Sequence, residues 1–372
     1  MAEPAPPTHP ANAYPANALR RYLAIVLGVA LATAVSLAGY AWYLGPPEGD
    51  LVRIQGGSER HFGWQGEAVG FASDAYDRLS AEELLAGADP GELLVFGDSF
   101  SLPHQGGVSW INTVVEATGL RARFVRILDF RIVRDYLRSE AYRLRPPRAV
   151  IVQSVERALV KRAKGVFDAT APCTPPPAPA PLSVSPNRLD RASFARRTAF
   201  ESLDEMLSWG ALAARPRFSR QERVIEVDLT RDDLFSHRAA NRLLLFGDDV
   251  SNHLASDVGA SDLAAARCGL AQTIAAAEGL SPVYLAIAPD KRTLYAPYIA
   301  TPLPAKAADL FVLAEEALGA SAIDLRQPLA EAAAAGVRDL YWPGDTHWGA
   351  AGHRIAGERV AAHLRAPRGG SD

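Results

Sequence analysis

The longest apolar stretch of the chain lies near its N-terminus. Residues 22–44 contain no charged side chain and are rich in leucine, alanine and valine. About 20 apolar residues suffice for a helix that crosses a bilayer. Two arginines precede the stretch and two acidic residues follow it, and the positive-inside bias places the N-terminus in the cytoplasm. We therefore predict a cytoplasmic tail at residues 1–19 and a transmembrane signal anchor at residues 20–44.

A cleaved signal peptide is the alternative interpretation of this stretch. The apolar core of a signal peptide usually has about 7–15 residues and ends at a cleavage site of small residues. The present run is longer and ends in Tyr40, Trp42 and Tyr43, which are typical of the membrane interface. The pattern favours an uncleaved, single-pass anchor in the inner (cytoplasmic) membrane, with the rest of the chain in the periplasm or another extracytoplasmic space.

Short apolar runs alternate with helical patterns in the remainder of the chain. The apolar runs predict strands at Leu93–Phe96, Ala149–Val152, Leu243–Phe246, Val283–Ala288 and Ala322–Leu325. Alternation of apolar and polar residues predicts a half-exposed strand at Val224–Leu229. Helical spacing predicts helices at Val108–Ala117, Glu156–Lys164, Leu263–Ala277, Ala305–Leu318 and His353–Leu364. Such alternation predicts an α/β fold in which a mostly parallel sheet carries helices on both faces. Chemistry in such sheets collects at the carboxyl ends of the strands.

The domain boundaries follow from where these patterns begin and end. Residues 45–88 mix glycine, charged residues and isolated aromatics, so we predict a stalk there. The α/β domain is predicted at residues 89–366. A proline-rich stretch within it predicts an insertion around residues 165–222, because prolines interrupt both helices and strands.

Composition excludes several classes of function. The 372 residues carry a formal net charge of −3, which gives no reason to expect nucleic-acid binding. The two cysteines, Cys173 and Cys268, cannot build a zinc site by themselves; whether they form a disulfide is open. Asp248 and Asp249 have no neighbouring residues that would complete a metal shell. No metal site and no cofactor is predicted.

A serine follows the first predicted strand of the domain. Gly97-Asp98-Ser99 stands between that strand and a likely helix. A tight turn there would present the serine hydroxyl, and the N–H groups of the helix N-terminus could stabilise an oxyanion. The alternative is an ordinary turn, because all three residue types are frequent in turns.

A carboxylate and an imidazole lie close together near the C-terminus. Gly344-Asp345-Thr346-His347-Trp348 precedes the last predicted helix. A serine nucleophile needs a base, and the base needs an acceptor that fixes its tautomer. Asp345 could accept from the ring of His347 in this way. An N-cap aspartate beside a packed histidine is the alternative. His104 could also act as base, but it has no adjacent carboxylate, and we set it aside.

The two motifs together resemble a known family. A Gly-Asp-Ser early and an Asp-x-His near the C-terminus are arranged as in SGNH (GDSL-type) hydrolases. The string Asp-Thr-His-Trp also resembles the alginate O-acetyltransferase (AlgX/AlgJ-like) proteins. Two further stretches resemble elements of those proteins: Val155-Glu156-Arg157, and Pro289-Asp290-Lys291 followed by Leu294-Tyr295. The resemblance as a whole spans residues 92–364.

The resemblance implies a flavodoxin-like, three-layer fold, an activity and partners. Catalytic roles would fall on Ser99, His347 and Asp345, without a cofactor, in an O-acetyltransferase that moves acetyl groups onto a cell-surface or exported polysaccharide. A membrane-bound O-acyltransferase would supply the acetyl groups, and the N-terminal helix would hold the enzyme at the membrane. A carbohydrate O-acetyl esterase and a non-catalytic polysaccharide-binding or assembly protein are the alternatives.

The sequence departs from the family in two respects. The Asp-x-His pair precedes the serine in the alginate acetylation proteins, whereas here it follows, as a circular permutation would produce. The Gly-x-Asn-Asp block that usually supplies an oxyanion-hole asparagine is missing. Gln153 and Ser154, at the end of the second predicted strand, are the nearest candidates for that donor.

Four more residues are candidates for substrate binding. Arg157 could bind substrate or pair with a carboxylate. Lys291 and Tyr295 could line the cleft or pack at the edge of the core. Trp348 could stack on a sugar ring or cap the catalytic residues.

Overall fold

A computed structural model describes residues 16–55, 58–102, 108–214, 224–251 and 258–365. The helices are α1 Ala16–Leu44, α2 Asp50–Gln55, α3 Glu59–Phe62, α4 Ala81–Leu85, α5 Trp110–Thr118, α6 Arg131–Leu137, α7 Glu140–Leu144, α8 Glu156–Lys164, α9 Leu203–Ala213, α10 Gly247–Ser251, α11 Ala260–Ala275, α12 Lys291–Tyr295, α13 Leu310–Leu318, α14 Arg326–Ala334 and α15 Ala350–Arg365. The strands are β1 Glu67–Phe71, β2 Tyr76–Leu79, β3 Leu93–Gly97, β4 Ala122–Arg126, β5 Ala149–Val155, β6 Arg191–Ala195, β7 Val224–Asp228, β8 Arg242–Phe246, β9 Val283–Ala288 and β10 Ala322–Asp324.

The central sheet has six strands in the order β2-β4-β3-β5-β9-β10. All its pairings are parallel, so the carboxyl ends of the strands lie along one edge. From β4 onward the order is that of a flavodoxin-like sheet, whose direction of winding reverses between β3 and β5. The predicted α/β class with a mostly parallel sheet is confirmed.

Both faces of this sheet are covered by apolar packing. Successive side chains of a strand point to opposite faces. Leu93 and Val95 of β3 therefore join a cluster that includes α5, α14 and α15, while Leu94 and Phe96 join one that includes α6, α8, α11 and α13. Burial on both sides explains the continuous apolar runs of β3, β5 and β9 in the sequence.

A separate compact unit comprises α1 and α9. Asn17–Leu44 is long and apolar enough to cross a membrane, with a mean hydropathy of 2.1. Ala41 and Leu44 of α1 pack with Trp209 and Ala213 of α9. At the crossing, a Cβ on Gly210 would stand 2.7 Å from the Leu37 carbonyl oxygen. Only glycine permits that approach.

The structure differs from the stalk predicted over residues 45–88. β2 is the edge strand of the central sheet, and Leu51 and Val52 of α2 are fully buried. These elements have only four to six residues, which is too short for a periodic pattern to register. β4 was not predicted as a strand, because its Arg-rich sequence is typical of a solvated helix face.

The predicted insertion at residues 165–222 has two different parts. Its proline-rich part carries no helix or strand between Gly165 and Asp190 and is bonded to α11 through Cys173–Cys268, with a Cα–Cα distance of 4.9 Å. Farther on it contributes β6, which pairs with β1, and α9. The strands predicted at 224–229 and 243–246 form their own antiparallel hairpin and do not join the central sheet.

Candidate active site

Three side chains from opposite ends of the α/β domain form one line of hydrogen bonds. Ser99 Oγ lies 2.8 Å from His347 Nε2, and His347 Nδ1 lies 2.6 Å from Asp345 Oδ1. The serine follows β3, and the other two residues lie in the turn before α15. A hydroxyl, an imidazole and a carboxylate in this order have the geometry that activates a serine for nucleophilic attack.

The serine is presented by a tight turn at the end of β3. A Cβ on Gly97 would stand 2.2 Å from Ser101 Oγ, so the turn requires glycine there. The chain then enters a short 3-10 helix at Ser99–Ser101, which Asp98 caps by accepting from the Phe100 N–H at 3.0 Å. The side chain of Ser99 is left half-buried, at the switch point of the sheet where α/β sites form.

Asp98 also ties this turn to the neighbouring strand. Its Oδ2 accepts from the Val155 N–H at 2.8 Å and from Arg162 Nη1 at 2.6 Å. Both charged side chains are buried, so each depends on the other for compensation. Sequence reasoning missed Asp98 and Arg162 as parts of the site, since the only signal was the aspartate in the Gly-Asp-Ser string.

A buried lysine holds the turn that carries Asp345 and His347, called here the histidine turn. Lys291 Nζ donates to the carbonyl oxygens of Trp342, Pro343 and Asp345 at 3.0, 2.8 and 3.0 Å. Burial lowers the pKa of Lys291 to about 8, although Asp345 and other nearby carboxylates oppose the shift. The lysine therefore fixes the backbone that carries Asp345 and His347.

These observations can be compared with known proteins. Residues 245–372 match a family model described as SGNH hydrolase-like domain, acetyltransferase AlgX. The C-terminal part of the chain is similar to the SGNH hydrolase-like domain of AlgX. This confirms the resemblance found in the sequence and supports an acetyltransferase-like activity. No curated protein and no solved structure matches the chain.

The AlgX-like match includes Asp345 and His347, but it begins at residue 245 and does not include Ser99. The place of the serine in the site therefore depends on the geometry alone. β3 and the turn before α15 bring the three side chains together even though the Asp-x-His pair follows the serine in the chain.

A second carboxylate stands beside the AlgX-like Asp-Thr-His turn. Asp50, the first residue of α2, accepts from the Thr346 N–H at 2.8 Å and from Thr346 Oγ1 at 2.6 Å. Its own N–H donates to Asp345 Oδ2 at 3.1 Å, and its Oδ2 lies 3.8 Å from His347 Nδ1. No sequence pattern indicated this contact, since Asp50 lies in the segment predicted as a stalk.

Asp50, Asp345 and His347 together have the composition of a metal site, with ligand atoms within 4.8 Å of one another. Hydrogen bonds from Thr346 and from the Asp50 and His347 N–H groups already occupy their oxygens. That network explains the cluster without an ion.

The carboxylates control the protonation of the histidine. Burial by itself favours the neutral ring, but the hydrogen bond and charge of Asp345, with the charge of Asp50, raise the pKa of His347 above its ordinary 6.5. Burial and the charge of Asp345 raise the pKa of Asp50 in turn. Because Asp345 accepts from the Nδ1–H group of His347, the other ring nitrogen, Nε2, is left to face Ser99 Oγ as the base.

The two predicted oxyanion donors make hydrogen bonds at the serine turn. Gln153 Oε1 accepts from the Asp98 N–H at 3.1 Å and from Ser101 Oγ at 2.8 Å. Ser154 Oγ donates to the Val155 carbonyl and accepts from Arg162. Both side chains are fully buried. The Gln153 Nε2 amide group, which is the part that could donate to an oxyanion, makes no hydrogen bond among the described residues, so the oxyanion role of Gln153 stays a prediction.

Arg157 lies near the site but is paired. Its Nη1 is 3.0 Å from an oxygen of Asp249 and 3.0 Å from one of Asp290, and its guanidinium lies 5.7 Å from the Phe100 ring. The contacts match the second of the two interpretations, pairing with carboxylates. Asp249, considered as a metal ligand, is one of these partners, whereas Asp248 is exposed.

The remaining candidates belong to the packing around the turns. Tyr295 is buried against Phe235, with ring centroids 4.8 Å apart, and Lys291 is buried as described. Trp348 is fully buried and meets the Phe100 ring edge-on at 5.1 Å. A buried indole cannot stack on a sugar, so Trp348 caps the Ser99 turn from the protein side. His104 lies outside the described residues.

Lys291→Met tests the support of the histidine turn. We expect a loss of about 1–3 kcal/mol in unfolding free energy at neutral pH, because three buried carbonyls lose their donor. The folded-state pKa of Lys291, about 8, lies below the ordinary 10.5, so the lysine adds stability as pH rises between these values. Thermal unfolding of both chains in detergent, from neutral to alkaline pH, measures the difference.

The matched control is Lys161→Met, whose lysine is exposed on α8. It should change the unfolding free energy little, because the side chain is exposed and carries none of the three hydrogen bonds that Lys291 makes. Equal behaviour of the two variants would contradict the role given to Lys291.

Proposed function

We propose that this chain is a membrane-anchored, extracytoplasmic O-acetyltransferase that acts on a cell-surface or exported polysaccharide through an acetyl-enzyme on Ser99. The observation that carries the proposal is the line of hydrogen bonds from Ser99 Oγ through His347 to Asp345, at 2.8 and 2.6 Å. The AlgX-like match over residues 245–372 supports the acetyl group as the cargo.

The first half-reaction makes the acetyl-enzyme. Ser99 Oγ attacks the carbonyl carbon of an acetyl ester while its proton passes to His347 Nε2. The negative charge of Asp345 stabilises the imidazolium that forms. The tetrahedral intermediate then collapses, the ester C–O bond breaks, and His347 returns the proton to the departing alcohol oxygen.

The second half-reaction runs the same chemistry with a new alcohol. A sugar hydroxyl enters, His347 takes its proton, and the hydroxyl oxygen attacks the acetyl carbonyl of the Ser99 ester. Collapse of this intermediate releases the acetylated sugar, and the proton returns to Ser99 Oγ. Water in place of the sugar would make the protein an esterase.

The cysteines support an extracytoplasmic location for the site. Cys173 and Cys268 are the chain's two cysteines, and they are bonded to each other. Structural disulfides persist in oxidising compartments and are rare in the cytosol. With two arginines before the apolar helix, the positive-inside bias agrees with this orientation.

The packing of α9 supports retention of α1 as an anchor. Trp209 and Ala213 of α9 are buried by Ala41 and Leu44 of α1. Cleavage after the apolar segment would remove this surface and expose the indole to solvent. A membrane-bound O-acyltransferase that delivers acetyl groups across the bilayer would be a suitable donor for an enzyme held at the membrane.

Ser99→Ala tests the nucleophile. The full-length chain in detergent should release acetate from an activated acetyl ester, and the variant should lose this activity by about 1,000-fold or more, because no acetyl-enzyme can form. A fluorophosphonate should label the wild-type chain and leave the variant unlabelled. A polysaccharide acceptor added to the same assay distinguishes transfer to sugar from hydrolysis.

Ser101→Ala is the matched control, since Ser101 lies two residues after Ser99 and its buried hydroxyl donates to Gln153 Oε1. It should keep the fluorophosphonate labelling. An unchanged rate in Ser99→Ala would overturn the enzymatic proposal, and glycan binding without labelling would favour the non-catalytic alternative.

Retention of α1 predicts one species in the membrane. A chain tagged at both termini should remain at full length in the membrane fraction after an alkaline carbonate wash, because α1 is apolar along its length. The control replaces residues 1–44 with a cleavable signal peptide and should be released. Loss of the N-terminal tag from the wild-type chain would show that the segment is a signal peptide.

A further inference from the structure

The segment that follows α1 is built into the histidine turn. The Leu51 and Val52 N–H groups donate to the Gly344 carbonyl oxygen at 3.1 and 3.2 Å. A Cβ on Gly49 would stand 2.0 Å from that same oxygen, so glycine is required for the approach. Residues 49–52, named here the strap, therefore wrap around Gly344 at the start of the turn.

A buried glutamate holds the strap in place. Glu59 Oε1 accepts from the Glu48 and Gly49 N–H groups, both at 2.9 Å. Burial raises the pKa of Glu59 to about 7, against these hydrogen bonds. The strap thus has its own support within the α/β domain.

We propose that Asp50 is a positioning residue for the Ser99–His347–Asp345 line, acting through both the geometry of the turn and its charge. This inference rests on the proposed function. Asp50 accepts both hydrogen-bond donors of Thr346, the residue between Asp345 and His347. Its backbone N–H holds the Asp345 oxygen that does not face the ring. Asp345 is therefore left with one rotamer, which directs Oδ1 at His347 Nδ1.

The charge of Asp50 acts on the same imidazole. The charged groups that face His347 are Asp345, Asp50 and Arg157, and those that face Asp50 are Asp345, His347 and Lys291. The two hydrogen bonds from Thr346 favour the ionised form of Asp50. Its negative charge, 3.8 Å from Nδ1, stabilises the imidazolium that forms when Ser99 attacks.

Asp50→Asn separates the two contributions. Asparagine has nearly the same shape and can still accept from the Thr346 N–H, but it carries no charge. General-base catalysis requires neutral His347, so activity falls as pH drops through the pKa of that ring. Removing a negative charge lowers this pKa. The acid limb of kcat/KM for an activated acetyl ester should therefore move to lower pH, with a modest loss at the plateau.

Asp50→Ala removes the hydrogen bonds as well as the charge. Its plateau activity should fall further, by up to about 100-fold, because small displacements of catalytic groups have effects of that size. The control is Glu82→Gln, which removes an exposed carboxylate on α4 and should leave both plateau and limb unchanged. Thermal unfolding of each variant in detergent checks that the chain is folded.

The outcomes separate this inference from the proposed function. An unlabelled Ser99 in the wild-type chain would overturn the function itself. A labelled, active wild-type chain with the acid limb of Asp50→Asn in its original place would overturn only the positioning role of Asp50. If Asp50→Ala fails to fold, Asp50→Asn still decides, because its side chain preserves the packing.

Discussion

The hydrogen bond between Ser99 Oγ and His347 Nε2 joins two turns that lie 248 residues apart in the chain. Each turn is also held by a buried ion pair or hydrogen bonds of its own. Asp98, paired with buried Arg162, fixes the turn of the serine, and Lys291 fixes that of the histidine. The parallel sheet brings the turns together, because the strands before Ser99 and Lys291 end at the same edge. Two buried cations therefore define the distance on which the proposed chemistry depends.

This arrangement accounts for a site that tolerates a permuted order of motifs. What the chemistry needs is one strand end that carries the serine and one turn that carries the Asp-x-His pair, near the switch point of the sheet. The chain meets these requirements with the serine first. The strap follows the proposed anchor in the chain and contacts the proposed catalytic turn.

Much of the fold could be predicted from the sequence, because β3, β5 and β9 are buried on both faces and give continuous apolar runs. The triad could be proposed because its residue types stand at element junctions. Asp50 could not be found in this way, since its contacts with Thr346 exist only in three dimensions. The orientations of the Gln153 and Trp348 side chains could not be predicted either. Their positions near the turns were predicted, but whether their side chains face the cleft or the core depends on packing that periodicity does not encode.

The most direct test of the account is to trap the intermediate. The full-length chain is mixed with an activated acetyl ester, quenched in acid within the first turnover and digested for mass spectrometry. The account predicts the mass of one acetyl group on the peptide that contains Ser99, and none on that peptide in Ser99→Ala. Turnover of the ester with an unmodified Ser99 peptide, or with the acetyl group on another residue, would contradict it.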